Sequence, residues 1–291
     1  MIGPLEAALL LSAPLLLAAC GELLLERSGS IQVGIEGTML IGAFASFAAA
    51  LATRSAHAGL LAGAGAGLLA GLVFALFSVA LRADPILVGT AWNLLGAGVS
   101  AFGYRLLAGA TGSSTGRSTE VASLPVVAFG LPAAGIAAFA LPVALHLFLR
   151  YTRAGLVLSA CGERPEAVQA IGRSVVAVRS AASALAGALA GAAGALLVLN
   201  VTRTFVEGVT AGRGFLALAV VVFARWRPLR LIPAALLVGG ASALQYQLQA
   251  AGGTSIHYAF FLALPPLLAL FAVTLSSSRG GAPRALGAPA P

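Results

Sequence analysis

The chain has 291 residues, 59% hydrophobic and 9% charged, with a formal net charge of +8. A water-soluble domain carries about 25% charged residues, so this composition cannot cover a water-facing surface and excludes a soluble globular protein. The basic excess is all arginine and falls mostly between apolar segments, which fits orientation in a bilayer better than nucleic-acid binding.

Apolar stretches near 20 residues suit a hydrocarbon core about 30 Å thick. The first is residues 5–25, interrupted by Pro14 and Glu22. It reads as a retained span, because no charged n-region or convincing cleavage site precedes it. A polar, glycine-rich run over 26–37 follows, then a second span to about residue 51. The third and fourth spans, 60–81 and 86–107, flank a tight turn at Arg82-Ala-Asp-Pro85. A Gly/Ser/Thr-rich loop covers 109–120. The fifth span, 124–149, is expected to bend at Pro132 and Pro142. A polar loop over 150–179 leads to the sixth span, 179–199. The stretch 214–224 is apolar but brief, a short seventh span or a broken one. Spans over 231–248 and 258–275 complete the set. The predicted fold is all-α: a polytopic transmembrane bundle of about nine spans (eight to ten), some broken or re-entrant. Residues 1–276 form one transmembrane domain, and a Gly/Pro/Ala-rich, disordered cytoplasmic tail occupies 277–291. With the 150–179 loop in the cytoplasm, about 12 arginines fall inside and about 5 outside, which puts the N-terminus outside and the C-terminus in the cytoplasm.

Glycines set the expected packing. Gly63, Gly67 and Gly71 recur every four residues, and Gly187 and Gly191 repeat the spacing, so each set lies on one helix face where backbones approach closely. The first run lies in an apolar span with no lysine, so it is a packing surface and not a phosphate loop.

Few polar groups need explaining. Glu36 stands directly before the uncharged run from Gly37; it either faces a cavity beside a broken helix or simply opens a helix from a loop. Asn93, beside Trp92, either bonds between helices or lines a path. Glu207 with Arg203 and Arg213 forms an ion pair at the outer face or a solvated loop. Asp84 before Pro85 is turn chemistry. His57, His146 and His257 are single and scattered, and Cys20 and Cys161 read as packing residues, so no metal site and no cofactor are expected. No nucleophile–base–orienter set suggests an enzyme.

Gly162 to Val175 concentrates charge in an otherwise apolar chain. Pro165 suits a first helical position, Glu166 the first turn and Gly172 a left-handed stop. Ala167, Val168 and Ile171 share a face of a helix too short to stand alone in water, so it must dock.

Three blocks carry a resemblance. The run from Glu26 to Phe44 resembles the opening motif of permease subunits of ABC importers, in the branched-chain amino acid, simple sugar and nucleoside group, most like its shorter nucleoside-type permease. Gly162-Glu-Arg-Pro-Glu-Ala167 with Gly172 is similar to that family's cytoplasmic coupling segment. Thr210 to Ala219 with Arg225-Trp-Arg-Pro228 is similar to a third block, and the three come in family order. The departures are Gln32 for a usual asparagine, Ala224 where glycine is common, and Arg227 where asparagine is often found.

The resemblance implies a permease in the bacterial cytoplasmic (inner) membrane that carries a nucleoside or similar small polar solute by alternating access. Simple sugars or branched-chain amino acids are the alternative cargo, and an ion-coupled secondary transporter the alternative class. The implied partners are ABC ATPase subunits, a second and usually different permease chain, an extracytoplasmic substrate-binding protein and the lipid bilayer, with no nucleic acid. ATP hydrolysis would reside on the ATPase. Gly162, Glu163, Arg164, Pro165, Glu166, Ala167, Val168, Ile171 and Gly172 would couple to it. Gln32, Glu36, Trp92, Asn93 and Phe215 are the candidates for the translocation path.

Overall fold

A computed structural model describes residues 3–110, 120–250, 267 and 281–288. Its helices are α1 (Pro4–Arg27), α2 (Ile35–Thr53), α3 (Ala56–Ala75), α4 (Pro85–Ala110), α5 (Ala133–Tyr151), α6 (Arg153–Glu163), α7 (Pro165–Ala170), α8 (Val175–Leu196), α9 (Arg213–Phe223) and α10 (Pro228–Ala250). π-helical turns extend α3 over Leu76–Ala80 and α8 over Leu197–Thr202. Among the described residues seven helices are long and apolar enough to cross a membrane: α1 to α5, α8 and α10. The expected span over 258–275 lies outside the described residues.

Helix α1 is apolar on every side, and such a helix belongs in the middle of a bundle. From Leu11 to Glu26 it is buried, against α5, α8, α9 and α10. Pro14 sits inside it without a break; membrane helices tolerate this because neighbours re-satisfy the freed backbone.

The two glycine stripes meet each other. Gly63, Gly67 and Gly71 of α3 lie against Gly191, Gly187 and Ser183 of α8 in antiparallel order, and a Cβ at Gly67 would collide with the Gly187 carbonyl oxygen. Helix α2 joins the seam: a Cβ at Gly42 would strike the backbone of Gly191, and one at Gly194 the Met39 carbonyl. Without a hydrophobic driving force between helices in lipid, this close backbone approach supplies the packing. The Ser183 hydroxyl adds one hydrogen bond, donated to the Gly71 carbonyl at 2.8 Å.

Two expectations need correction. The fifth span begins only at Ala133, because Val126–Ala128 and Leu131–Pro132 form a small antiparallel hairpin. β-Branched valines favour extended backbone, Phe129 and Gly130 turn it with positive φ, and Pro132 becomes a cap instead of a bend. Helix α9, with 11 residues and a length of about 16 Å, takes the broken one of the two forms expected of 214–224, a half-helix. Residues 281–288, expected to be disordered, form a turn pinned to the bundle: Ala285 N–H donates to the Gly162 carbonyl at 2.8 Å and Gly287 N–H to that of Gly29 at 3.1 Å. The rest of that tail lies outside the described residues.

Candidate functional site

The polar groups singled out in the sequence gather where the chain is not helical, between α1 and α2. After Arg27 the backbone leaves the helix through Ser28 and Gly29, and α2 starts only at Ile35. The interrupted backbone still needs partners. Gln32 N–H donates to Glu22 Oε1 at 2.9 Å, and the Gln32 amide donates to Thr38 Oγ1 at 3.0 Å. Helix α4 supplies the rest. The Asn93 amide donates to the Val33 carbonyl at 3.0 Å while its oxygen accepts from Gly37 N–H at 2.8 Å. The Trp92 indole N–H donates to Thr38 Oγ1 at 3.1 Å. These side chains fit closely because Gly34 and Gly37 leave room for Trp92 and for the α4 backbone. Asn93 therefore bonds between helices, one of the two readings its position allowed. Gln32 is 1% exposed, whereas Trp92 and Asn93 are half-buried.

Glu36 has a different task. Its Oε1 accepts from the Thr210 hydroxyl at 2.5 Å and from Gly212 N–H at 2.8 Å, and its Oε2 accepts from Gly214 N–H at 2.6 Å. The carboxylate thus serves the orphan N–H groups and positive dipole end of α9 from another helix. Helix α9 has no side-chain cap of its own; Gly212 holds its N-cap position with φ +80°. A Cβ at Gly214 would strike Glu36. The first and third family-like blocks are therefore one joint in space. Phe215, next on α9, is half exposed at 48%. One acid lacking a local partner and one helix start lacking an acid were the signals of this pairing in the sequence.

A second carboxylate contact anchors the other end of α9: the Trp226 indole N–H donates to Glu26, one turn beyond Glu22 on α1. Both glutamates are buried. Glu207 pairs with Arg105 of α4, at 2.8 and 3.1 Å, and not with Arg203 or Arg213. That guanidinium holds the Glu207 carboxyl below the usual carboxylate range.

The charged segment after α5 folds into α6 and α7. Pro165 opens α7, Glu166 lies in its first turn, and Gly172 at φ +73° ends it. Gly172 N–H reaches the Gln169 carbonyl at 2.8 Å and Arg173 N–H that of Val168 at 3.1 Å, the paired bonds of a left-handed stop. Pro165 and Val168 face inward, Val168 among Ala75, Val79, Cys161 and Val175. Glu163, Arg164, Glu166, Ala167, Ile171 and Gly172 are exposed, Ile171 at 67%. The single apolar ridge expected of Ala167, Val168 and Ile171 is thus divided: Val168 holds α7 to its own bundle, and Ile171 points outward. Gly162 is buried, since a Cβ there would meet the Arg27 carbonyl. Among the described residues no cluster of His, Cys, Asp or Glu could hold a metal.

The family model for the branched-chain amino acid transport system permease component matches residues 5–270. A putative glucose ABC transporter permease of Haloferax volcanii is 35% identical over 85% of this chain and 78% of its own length. A guanosine ABC transporter permease of Bacillus subtilis is 30% identical over 97% of this chain and 94% of its own. A nucleoside ABC transporter permease of Lactococcus lactis is 29% identical over 96% and 93%. No solved structure matches significantly.

Proposed function

Since the chain belongs to the branched-chain amino acid transport permease family, we propose that it is the membrane subunit of an ATP-driven importer for a nucleoside or similar small polar solute. It is a multi-pass protein of the cytoplasmic membrane. The proposed domain covers residues 1–276, with the N-terminus outside and the 150–179 segment and C-terminus in the cytoplasm, as the arginine distribution favours. It pairs with a second permease chain and receives its solute from an external binding protein. ATP hydrolysis resides on separate ATPase subunits.

The observation that carries the coupling part is the division of α7. Pro165 and Val168 fix it to the bundle while Glu166, Ala167 and Ile171 remain outside, so a push on the outer face moves the helix as a rigid piece. Its cytoplasmic neighbours tie it to α1 and α8. The Arg179 guanidinium donates to the Ser28 carbonyl at 3.1 Å, and residues 281–288 bridge Gly162 to Gly29. A displacement of α7 would thus reach the broken segment that carries Gln32 and Glu36. The polar joint of Gln32, Glu36, Trp92 and Asn93, with half-exposed Phe215, is proposed to border the solute path, in keeping with broken helices in transporters.

Guanosine and nucleoside permeases align over nearly the whole chain, which favours a nucleoside; the glucose permease keeps a sugar as the second reading. Purification of the tagged chain in mild detergent tests the assembly: an ATPase and a second permease should co-purify, and their absence would defeat the importer reading. Mass spectrometry of ligand retained by the binding protein that delivers to this permease tests the cargo.

A further inference from the structure

Helices α1, α5, α6 and α8 line an apolar cleft of about 760 Å³, open on one side, that the transport reading does not use. Its walls include Leu24, Leu145, Phe148, Leu158, Leu185 and Leu189. The volume lies within the range of ligand pockets, about 300–1,000 Å³. Only two charged residues line it, Arg153 at the start of α6 and Arg173 just before α8. Both belong to the α5–α8 connection, on the side of the bundle that holds α7. Both are exposed, and among the described residues neither has a carboxylate within ion-pair distance. On α5 and α6, Leu147, Tyr151 and Leu156 are 50%, 71% and 68% exposed.

We propose that this cavity binds an anionic phospholipid, its acyl chain in the apolar cleft and its phosphate between Arg153 and Arg173. The charge pattern selects this occupant. A second copy of this chain, at +8, would bring more positive charge to two uncompensated guanidiniums. Residues 251–280 of the chain itself are apolar enough for the cleft, but they contain no acid to face the arginines. A phospholipid supplies an apolar chain and a phosphate in one molecule, and basic pockets between membrane helices on the cytoplasmic side take anionic headgroups. The cavity shares Arg153 and Arg173 with the connection that carries α7, so lipid held there would brace the base of the coupling helix.

Native mass spectrometry of the delipidated, detergent-purified complex tests this, with phosphatidylglycerol and phosphatidylcholine of identical acyl chains added separately. The wild type should retain phosphatidylglycerol preferentially. The Arg153→Gln/Arg173→Gln double variant should weaken that retention about 25-fold, roughly fivefold per arginine. Ala181→Trp, which narrows the cleft beside an exposed position of α8 and keeps both arginines, should displace the lipid in a chain of normal size-exclusion profile. Equal retention of the two lipids by the wild type, or unchanged phosphatidylglycerol retention in both variants, would overturn the proposal. So would a cross-link from Ala181→Cys to the second permease or to residues 251–280, since either places protein in the cleft.

Discussion

The α3–α8 seam and the α2–α9 joint hold neighbouring parts of one bundle by opposite means. At the seam, backbones touch through Gly63, Gly67, Gly187 and Gly191, with a single side-chain hydrogen bond from Ser183. At the joint, one carboxylate, Glu36, takes three donors from the start of α9. Packed backbone has no alternative arrangement of similar energy, so the seam acts as a solid. Hydrogen bonds to a charged group can be exchanged for water or a ligand one at a time. The comparison assigns rigidity to α2, α3 and α8, and puts the part able to rearrange at the broken segment and the half-helix α9.

The largest loss is expected at the seam. Gly67→Leu drives a side chain into the Gly187 and Gly191 backbone, with an expected loss above about 3 kcal/mol and failure to recover folded protein. Gly65 faces open space two residues away, so Gly65→Ala should leave the thermal midpoint in detergent unchanged or raised. Equal damage from both would mean that the seam is not what glycine serves here.

The joint ranks next. Glu36→Ala strands the Thr210 hydroxyl and two N–H groups, at a cost of about 3 kcal/mol, while Glu36→Gln keeps one acceptor oxygen and should lose about 1 kcal/mol. Thermal unfolding of the two variants gives the order. Solute uptake should fall in both, because α9 loses its alignment with α2. Unchanged stability in Glu36→Ala would remove the joint from the account.

A third prediction leaves stability alone. Ile171→Asp and Glu166→Lys alter the exposed face of α7, so the unfolding midpoint should not move. ATP-driven uptake should drop at least about tenfold, as for an apolar anchor lost from an interface. Val168→Asp should do the reverse and damage the bundle itself, because that side chain is 1% exposed. Full uptake by Ile171→Asp would contradict the docking role of α7.

Local signals were legible in the sequence, and long-range pairings were not. Apolar run lengths place α1 to α4, α8 and α10 closely; Pro165 and Gly172 bracket α7; and Asp84 caps α4 by accepting from Ile86 N–H at 2.8 Å, as a turn aspartate before proline should. The glycine stripes announced packing faces but not that they pack on each other. The union of Glu36 with Gly214 crosses 178 residues, and no periodicity spans that separation. Val168 turns inward while Ala167 and Ile171 stay exposed, because in so short a helix spacing alone does not say which side faces the bundle.

The smallest effect is expected from an exposed carboxylate pair. Glu207 also takes more than one donor, from Arg105, but the two side chains are 43% and 72% exposed. Water solvates both partners when the pair opens, so little is gained by closing it. Its carboxyl is held below its ordinary value, so whatever stability it lends is present above the unfolded carboxylate pKa of about 4.3 and fades as pH falls through the lower folded value. At pH 7 the pair is fully ionised, and Glu207→Gln should leave the thermal midpoint unmoved in both low and high salt. A destabilisation comparable to that of Glu36→Gln would show that geometry alone, and not burial against a helix start, decides what a carboxylate contributes in this bundle.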